Sequence, residues 1–440
     1  MQRGTLTRRQ WLASAASPLA AAAGNRPNIV FLISDDHHFQ CLGAAGNPHI
    51  QTPNLDRIAS RGALFTNALI STPQCAPSRG ILLSGRESYQ TGLDCNLHID
   101  FQKPIGPTIV EQMRQSGYDT TLVGKWHITP SPQSCGFAKA PLWKQPAAGP
   151  YRDPMLRRGL DGKDEKAPGH ITDLFTDAAI DSVRGAKQPF LLWLAYTAPH
   201  TPWAVDDKYR TAYQGRGAQL APPAHPKGGN AFDWETYYSV ITHLDEAIGR
   251  FTGALEKAGL WDNTLLVFLG DNGYLCGTKK LQGKVECWDE SIRVPMIVSG
   301  GAMRARGKID APVASIDLPA TFLDYAGVRP AQPLSGRSLR PEIEGGKSKR
   351  EVAFSSWNDG RPEALMVPRA VEPYRVARTR THKLIVWESK KQMLFDLRAD
   401  PAEEKDLAGD SAHGATLKSM REHLLKRMRE TGDAAARWMS

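Results

Sequence analysis

Polar residues follow three short apolar runs of this chain at the points where the runs end. The first run is followed by Asp35-Asp36, the second by His200 in the segment Ala198-Pro199-His200, and the third by Asp271-Asn272. Ligands of open α/β sheets bind outside the carboxyl ends of the strands, so we expect these groups to meet. Three carboxylates and an amide are hard oxygen donors, which Ca²⁺ or Mg²⁺ prefers, whereas zinc favours His or Cys. The pattern predicts a cation site with calcium favoured over magnesium, although an Asp-Asp pair alone is more often a helix cap or a turn.

The elements that must position these groups alternate in the α/β manner. The three apolar runs span residues 28–34, 189–196 and 264–270, and they predict strands buried on both faces. A helix is predicted to begin at Pro53 with Thr52 as its N-cap. Amphipathic segments that begin near Ile171 and Trp234 predict two longer helices. The expected fold class is α/β, with helices on both faces of a large, mostly parallel sheet.

The chain changes character after about residue 327, where Pro and Gly become frequent. Short strand-like runs follow at residues 352–357, 374–378, 383–387 and 393–397, before a basic helical segment at 416–429. These runs predict a smaller α+β subdomain that carries a short antiparallel sheet. We place the main domain at residues 26–340 and this subdomain at 341–440. The basic helix is interpreted as a solvated face rather than as a nucleic-acid contact.

Residues 1–25 resemble a twin-arginine export signal. Arg8-Arg9 precedes an Ala-rich run that ends near Ala23, and this run is too short to span a membrane. Cleavage there would also remove Arg3 and lower the formal charge from +9 to +6, that is, 9 less 3. No later stretch is long and apolar enough to span a bilayer, so we expect a periplasmic or secreted protein without a stable membrane anchor. A basic, Ala-rich tail without an export role is the alternative.

Composition excludes several classes of protein. A chain of 440 residues with 41% hydrophobic positions and scattered Gly and Pro is typical of a folded enzyme, not of a disordered or fibrous protein. The charge of +9 comes without a nucleic-acid motif or a basic-aromatic pattern, so no nucleic-acid partner is expected. The six cysteines form no C-x-x-C pair, which excludes a zinc ribbon and a thioredoxin-like site and leaves one or two disulfides open.

The segment from Cys75 to Arg86 carries the most specific signal. It reads C-A-P-S-R-G-I-L-L-S-G-R and resembles the signature of the sulfatase family, C-x-P-S-R followed by a short spacer and L-x-G-R. The resemblance implies that a formylglycine-generating enzyme oxidises Cys75 to formylglycine (3-oxoalanine). One hydroxyl of the hydrated aldehyde would attack sulfur, and the other would expel sulfate afterwards. Taken alone, Cys75 is more often a buried structural thiol. Its conversion would leave five cysteines, of which at least one stays unpaired within the chain.

Further segments resemble sulfatase blocks in the family's order, and they extend over nearly the whole chain after the export signal. These segments are residues 28–36, 52–56, 124–127, 199–202, 271–273, 293–295, 316–321 and 394–401. Each is weak by itself, but the ordered set is specific. The resemblance implies an alkaline phosphatase-like fold, with residues 26–340 as the sulfatase catalytic domain.

The resemblance also assigns roles to individual side chains. The implied metal ligands are Asp35, Asp36, Asp271, Asn272 and the modified Cys75. Arg79 would hold the formylglycine and the carboxylates. Lys125 would contact the sulfate and the diol, His127 would help deprotonate the diol, and His200 would donate a proton or hydrogen bond to the leaving oxygen. If residues 122–128 are extended, Lys125 and His127 point to one face.

Lys284 is assigned to sulfate binding by its distance from the block Glu290–Pro295. The family often has Gly-x-His-Gly just after the Asp-Asn pair, whereas this chain reads L-C-G-T-K at residues 275–279 and lacks the histidine. Lys279 and Lys280 are weaker candidates for the same role. The departure bears on the pocket wall and on leaving-group specificity more than on the core reaction.

The resemblance implies a sulfuric ester hydrolase that cleaves sulfate monoesters of carbohydrate or aryl compounds, with a sulfated glycan preferred as substrate. Three carboxylates, one divalent cation, Arg79, Lys125 and Lys284 leave the site with two positive charges, which attract a sulfate monoester. A phosphonate monoester hydrolase or phosphodiesterase of the same superfamily is one alternative, against which Lys125, His127 and His200 favour sulfate. The other alternative is a non-catalytic glycan-binding relative in which Cys75 is never converted.

Overall fold

A computed structural model of the chain describes residues 26–145, 149–223, 225, 231–361, 363 and 370–439. The predicted export signal at residues 1–25 lies outside these ranges. The strands are β1 (Asn28–Ser34), β2 (Ala63–Phe65), β3 (Ala68–Leu69), β4 (Asp119–Lys125), β5 (Lys139–Lys144), β6 (Met155–Arg157), β7 (Asp164–Lys166), β8 (Phe190–Ala195), β9 (Thr264–Gly270), β10 (Met296–Ser299), β11 (Gly307–Ile309), β12 (Val313–Ala314), β13 (Ala353–Trp357), β14 (Tyr374–Arg378), β15 (His382–Trp387) and β16 (Gln392–Asp396). The α-helices are α1 (Pro53–Ser60), α2 (Cys75–Ser84), α3 (Ser88–Thr91), α4 (Ile109–Gln115), α5 (Ile171–Arg184), α6 (Asp207–Arg210), α7 (Trp234–Lys257), α8 (Asp289–Ile292), α9 (Asp317–Tyr325), α10 (Arg340–Ile343) and α11 (Gly414–Thr431).

A ten-stranded sheet forms the centre of the molecule, in the order β11-β2-β10-β9-β1-β8-β4-β5-β6-β7. The five neighbouring strands β9, β1, β8, β4 and β5 run parallel to one another. On one side of them, β10 pairs antiparallel with β9 and with β2. On the other side, β6 pairs antiparallel with β5 and with β7. The three predicted apolar strands are β1, β8 and β9, which are neighbours in the middle of the sheet. The predicted mostly parallel sheet is confirmed.

Helices cover both faces of this sheet because successive side chains of a strand point to opposite sides. On β1, Ile29, Phe31 and Ile33 pack on one face, whereas Val30 and Leu32 pack on the other. Helices α2, α4 and α9 contribute to the first apolar core, and α1, α5 and α7 contribute to the second. Every residue of β1 is buried, which explains its unbroken apolar sequence. The sandwich predicted from the sequence is confirmed.

Helix α1 begins at Pro53 with Thr52 in the N-cap position, as predicted, but the side chain of Thr52 does not cap the helix. The Thr52 side chain makes no capping hydrogen bond. Its hydroxyl instead accepts from the Gly43 N–H at 2.8 Å and donates to the Asp56 carboxylate at 3.1 Å. Thr52 therefore ties a neighbouring loop to the first turn of the helix rather than satisfying that turn's own amides.

The C-terminal part of the chain forms the expected short antiparallel sheet, in the order β13-β14-β15-β16. Helix α11 packs on one face of this sheet, where Met420 and Leu424 join an apolar cluster with Leu384 and Leu394. The opposite face packs, through Val376 and Ile385, in a further cluster that includes Ile81 of α2 and Ile292 of α8. The α+β character of the segment is confirmed, while the boundary at residue 340 stays a prediction.

All six cysteines are free thiols and all are buried. The disulfides that the sequence left open are therefore absent from this structure.

Candidate active site

The residues that follow β1, β8 and β9 meet at one edge of the large sheet. Strands β1 and β9 stay in register up to the pair Ser34 and Gly270, so Asp35 and Asp271 leave the sheet side by side. The Asp271 N–H donates to the Ser34 carbonyl at 2.9 Å, and the Asp35 N–H donates to the Ala198 carbonyl at 3.0 Å. The backbone thus fixes all three polar segments at the carboxyl ends of adjacent strands.

Cys75 is the first residue of α2 and points into this cluster of polar groups. It is 0% exposed, and its Sγ lies 3.4 Å from Asp35 Oδ1 and 3.5 Å from Asn272 Oδ1. The Lys284 Nζ lies 2.8 Å from the same sulfur. A group formed at the Cys75 side chain would therefore face carboxylate and amide oxygens together with an ammonium group.

The start of α2 is held by a neighbouring loop. The Asn96 side-chain oxygen accepts from the Ala76 N–H at 3.0 Å, and the Asn96 N–H donates to Gln74 Oε1 at 2.8 Å. The first amides of a helix have no partner within the helix, so such contacts both satisfy an amide and fix the helix end. They hold Cys75 in place.

Arg79 lies one helical turn beyond Cys75 and so faces the same side. It is 2% exposed. Its Nη2 and Nε donate to Asp271 Oδ2 at 2.8 and 3.2 Å, and its Nη1 donates to the Lys125 carbonyl at 2.8 Å. The guanidinium group therefore joins the end of β9 to the end of β4.

Two lysines bring further positive charge to the site. Lys125, the last residue of β4 and 0% exposed, forms an ion pair with Asp35. Lys284 forms an ion pair with Asp36, whose Oδ1 also accepts from Asn272 Nδ2 at 2.6 Å. The site therefore holds three buried carboxylates balanced by Arg79 and these lysines.

Among the lysine candidates, Lys284 reaches the site and Lys279 does not. The Lys279 Nζ donates to the carbonyls of Ala402 and Glu403 at 3.1 and 2.7 Å, in the C-terminal part of the chain. Lys280 is the C-terminal residue of the same short 3₁₀ turn, Thr278–Lys280. The geometry thus favours Lys284 among the three.

His127 lies at the site, but not for the reason given by the sequence. Strand β4 ends at Lys125 and His127 has a φ of +71°, so the expectation of one extended run through residues 122–128 is wrong. Its Nδ1 is buried without a hydrogen-bond partner in the described structure. Burial and the charges of Lys125 and Arg79 hold the pKa of this ring well below its usual value. The ring is therefore neutral at pH 7 and can accept a proton.

His200 lies next to Asp36 at the same site. Its Nε2 is 3.6 Å from Asp36 Oδ2, and its Nδ1 contacts the Thr201 carbonyl. Ligand atoms of Asp35, Asp36, Cys75 and His200 all lie within 4.8 Å of one another. The carbonyl contact fixes the ring orientation and directs Nε2 into the site.

The buried charges shift the pKa values of the acidic groups in opposite directions. Burial alone would raise the pKa of Asp35, but Lys125, His200 and the other cations hold it well below the usual value. Burial and the charge of Asp35 raise the pKa of Asp271 to about 6, against the effect of Arg79. Burial and Asp35 also raise the pKa of the Cys75 thiol to about 12, so an unmodified Cys75 carries no negative charge at neutral pH.

The donor set suits a hard divalent cation. Asp35, Asp36, Asp271 and Asn272 offer carboxylate and amide oxygens from two adjacent strand ends. The Asn272 Nδ2 donates to Asp36 and to the Gly273 carbonyl, which leaves its Oδ1 on the side of Cys75. A cation here would find oxygen ligands in a pocket that the described side chains already hold in shape.

Sequence reasoning missed two tyrosines that hold the site in place. Asp36 has a φ of +61°, and the Tyr237 hydroxyl donates to its carbonyl at 2.6 Å while accepting from the His38 N–H at 2.9 Å. The Tyr151 hydroxyl donates to the His200 carbonyl at 2.7 Å. Tyr237 belongs to the apolar stripe predicted for α7, so the sequence marks it only as a core residue, and nothing marks Tyr151.

This arrangement, a mostly parallel sheet between helices with acids and a buried cysteine at its carboxyl edge, is that of a hydrolase with the alkaline phosphatase-like fold. A family model described as Sulfatase matches residues 27–328, and one described as N-sulphoglucosamine sulphohydrolase, C-terminal, matches residues 277–430. The first match covers more than half of the chain, so the chain belongs to the sulfatase family and is a sulfatase, an enzyme that hydrolyses sulfate esters.

Several known proteins are similar to this chain in sequence or in fold. An N-acetylglucosamine-6-O-sulfatase of Bacteroides thetaiotaomicron is 27% identical, with 96% of this chain and 89% of that protein covered. A protein solved in complex with its substrate D-glucosamine-2-N,6-O-disulfate superposes with a TM-score of 0.81 at 25% identity, over 93% of this chain and 99% of its own. A phosphonate monoester hydrolase of Agrobacterium radiobacter has a TM-score of 0.73 at 22% identity, over 92% and 96% of the two chains. At that identity, only the fold is shared.

The described helices include none that combines the length and the apolar character needed to cross a membrane.

Proposed function

We propose that this chain hydrolyses sulfate monoesters of carbohydrates through a formylglycine made from Cys75, with Ca²⁺ bound beside it. The observation that carries the proposal is the position of Cys75. Its Sγ lies within 3.5 Å of oxygens of Asp35 and Asn272 and 2.8 Å from Lys284 Nζ. The hydrated aldehyde would supply the nucleophilic hydroxyl, a role for which the thiol is unsuited because its pKa is raised to about 12.

Asp35, Asp36, Asp271 and Asn272 are the proposed calcium ligands, with an oxygen of the modified Cys75 alongside. Their oxygens converge from two adjacent strand ends, and calcium accepts such oxygen-rich sets with flexible geometry. Magnesium is the less favoured ion, since it demands a stricter octahedron and keeps more of its water. Bound there, the ion would supply Lewis-acid charge beside the sulfate.

The basic side chains are proposed to bind the sulfate and the reacting group. Lys125 pairs with Asp35 and Lys284 pairs with Asp36, and both would contact the sulfate oxygens as negative charge builds on them. Arg79 would fix the modified residue and Asp271 through its planar fork. Lys125 and Arg79 are buried and the Lys284 side chain is 14% exposed, which supports this role because charge interactions are stronger away from water.

Two histidines are proposed to move protons. His127 has an unpartnered, neutral ring nitrogen and would take a proton from the diol when sulfate is released. His200 would donate to the leaving oxygen, with its ring held by the Thr201 carbonyl contact. The two histidines would therefore act in different steps. His200 would act when the S–O bond to the leaving group breaks, and His127 would act when the free hydroxyl loses its proton and the bond between the formylglycine carbon and the sulfate oxygen breaks.

A sulfated carbohydrate is the proposed substrate class. Support comes from the Bacteroides relative, an N-acetylglucosamine-6-O-sulfatase, and from the disulfated glucosamine bound by the structural neighbour. A glycan-degrading enzyme would meet its substrate outside the cytoplasm. We therefore also propose that residues 1–25 are a twin-arginine signal, that residues 26–340 form the catalytic domain and that residues 341–440 form its C-terminal subdomain.

The proposed export route fits the proposed maturation. The twin-arginine route carries folded protein, so a formylglycine-generating enzyme in the cytoplasm could oxidise Cys75 before export. Retention of the whole chain inside the cell after Arg8-Arg9 is changed to Lys-Lys would support this route. Unchanged export of that variant would contradict it.

The decisive experiment examines Cys75 directly. Protein is produced together with a formylglycine-generating enzyme, and the peptide that contains residue 75 is analysed by mass spectrometry. The proposal requires the aldehyde in that peptide, turnover of an aryl sulfate and of glucosamine-6-sulfate, and loss of both activities in Cys75→Ala. If only unmodified cysteine is found and hydrolysis is absent, the chain is instead a non-catalytic glycan-binding relative.

The same preparation separates sulfate from phosphonate chemistry. An aryl phosphonate monoester and a phosphate diester are offered beside the aryl sulfate at equal concentration. A larger kcat/KM for the sulfate supports the proposal. A larger value for the phosphonate would favour the alternative reaction, which the shared fold of the Agrobacterium enzyme leaves open.

A further inference from the structure

The backbone next to Lys284 adopts a conformation that its residue type disfavours. Val285 has a φ of +81°, in the region that a β-branched residue almost never occupies, and it is 1% exposed. Such a conformation costs free energy and persists only where the surroundings over-determine it. The residue just before it, Lys284, directs its Nζ to 2.8 Å from Cys75 Sγ. The strain therefore lies at the base of a side chain that reaches the reacting group.

The C-terminal sheet supplies a contact that holds this conformation. Tyr374, the first residue of β14, is 0% exposed, and its hydroxyl donates to the Val285 carbonyl at 2.7 Å. Val285 and Tyr374 also belong to one buried apolar cluster, together with Cys287 and Val376. The phenol thus fixes the peptide unit that follows Val285, one residue beyond Lys284.

Two further contacts tie the same segment to the C-terminal subdomain. The Lys279 Nζ donates to the Ala402 and Glu403 carbonyls, and Glu403 Oε2 accepts from the Asp289 N–H at 2.9 Å. Residues 279–289 are therefore held on both sides of Val285 by residues beyond 370. Lys284 extends into the site from a segment whose backbone is positioned by the C-terminal sheet.

We propose that Tyr374 is a positioning residue of the reaction. Through its hydrogen bond to Val285 it keeps the Lys284 ammonium directed at the group on Cys75 and at the sulfate bound there. The inference rests on the proposed role of Lys284 in sulfate binding. It gives the C-terminal subdomain a part in sulfate recognition although Tyr374 itself does not touch the substrate.

The test is the variant Tyr374→Phe, which removes the hydroxyl and keeps the ring. The matched control is Tyr118→Phe: Tyr118 is 3% exposed and donates one hydrogen bond of 2.9 Å to the Pro27 carbonyl, at the amino ends of the strands. Both variants lose one buried hydrogen bond to a backbone carbonyl, so similar losses of stability are expected. For 4-nitrophenyl sulfate, kcat/KM should fall at least about tenfold in Tyr374→Phe and stay within about twofold in Tyr118→Phe.

A second readout is specific to positioning. The inhibition constant of inorganic sulfate should rise in Tyr374→Phe and stay unchanged in the control. In the double variant Tyr374→Phe/Val285→Gly, most of the lost kcat/KM should return, because glycine adopts a positive φ without strain and no longer needs the hydrogen bond. A purely structural tyrosine would give no such rescue.

Lys284→Ala is measured in parallel, so that failure of the positioning role of Tyr374 can be distinguished from failure of the proposed role of Lys284. If Lys284→Ala loses activity while Tyr374→Phe and Tyr118→Phe behave alike, the positioning role of Tyr374 is wrong and the proposed function stands. If Lys284→Ala retains full activity, the proposed role of Lys284 fails and the inference fails with it. Absence of rescue by Val285→Gly, despite a loss in Tyr374→Phe, also overturns it.

Discussion

Two of the buried charge clusters among the described residues differ in what they leave available for chemistry. The catalytic cluster comprises Asp35, Asp36, Asp271, Arg79, Lys125 and Lys284. The interface cluster comprises Asp289, Glu403, Arg378 and Lys383, where α8 meets the C-terminal sheet. Arg378 Nε and Nη2 bind the two oxygens of Asp289 at 3.1 and 2.9 Å, and Lys383 contacts both Asp289 and Glu403. Both clusters pair acids with cations away from water.

The difference lies in what each cluster leaves available. Around the catalytic cluster, the Asn272 Oδ1 lies 3.5 Å from the Cys75 Sγ, and the buried His127 Nδ1 has no hydrogen-bond partner in the described structure. In the interface cluster, the Arg378 guanidinium and the Lys383 ammonium group pair with the carboxylates. Buried ion pairs alone therefore do not mark an active site. A better criterion for an active site is a set of converging polar atoms that lack partners within the protein.

The largest expected effect is on stability, in the interface cluster. Lys383→Met leaves Asp289 and Glu403 buried with one cation fewer, and breaking a buried pair in this way costs about 3–5 kcal/mol of unfolding free energy. Urea unfolding measures it, with Lys308→Met on the exposed edge strand β11 as a control expected to stay within about 0.5 kcal/mol. Turnover of the folded variant should fall far less than in Lys125→Met, because Lys383 pairs with Asp289 and Glu403 rather than with a carboxylate beside Cys75. A loss below 1 kcal/mol would contradict the comparison.

The same substitution in the catalytic cluster should act on turnover instead. Lys125 is also 0% exposed and paired with a carboxylate, so Lys125→Met is chemically matched to Lys383→Met. We expect kcat/KM for an aryl sulfate to fall by about 10²–10³-fold, the usual cost of removing one group that stabilises transition-state charge. In the presence of Ca²⁺ the loss of stability should be smaller than in Lys383→Met, because Asp35 keeps a cationic neighbour. Unchanged turnover with a large loss of stability would make Lys125 a structural residue.

Calcium offers a third way to separate the two clusters. At a free concentration one hundred times its Kd, an ion that binds only the folded state adds about 2.7 kcal/mol to the unfolding free energy. Urea unfolding with Ca²⁺ and with a chelator should differ by this amount in the original protein and in Lys383→Met. The difference should vanish in Asp36→Asn and be smaller with Mg²⁺. Equal stability with and without Ca²⁺ in the original protein would contradict the proposed calcium site.

The two clusters also mark how far the sequence could lead. The candidate catalytic residues follow apolar strands, lie in the C-x-P-S-R segment or, like Lys125, His127 and Lys284, were identified from other sulfatase blocks, so strand patterning and the family resemblance together named them. Asp289, Arg378 and Lys383 have no motif, since their partners are distant in sequence and only the packing of α8 against β14 and β15 brings them together. Core strands were predictable because burial on both faces leaves a continuous apolar run.

Local geometry at the site was less accessible from the sequence. The extended-run argument for Lys125 and His127 was wrong because β4 ends at Lys125 and the chain then turns through a positive φ. Thr52 occupies the predicted N-cap position, but its side chain makes no capping hydrogen bond because a loop amide competes for its hydroxyl. In both cases a neighbouring segment decides the local conformation, and neither periodicity nor residue preference contains that information.

The smallest expected effect concerns Glu290, which adjoins the interface cluster. Burial and the charges of Glu403 and Asp289 raise the pKa of this carboxyl to about 8 in the folded protein, against about 4.3 for an exposed Glu. Between these values the folded state binds more protons than the unfolded state, so this contribution to stability is complete below about pH 4 and is lost as the pH rises through about 8. The original protein should lose about 2 kcal/mol between about pH 6 and pH 7.5 relative to Glu290→Gln, whose amide cannot ionise. Urea unfolding at several pH values measures the difference, with the exposed Glu422→Gln as the matched control. Parallel curves for the original protein and Glu290→Gln would mean that the interface cluster tolerates the Glu290 charge, which its closed set of contacts argues against.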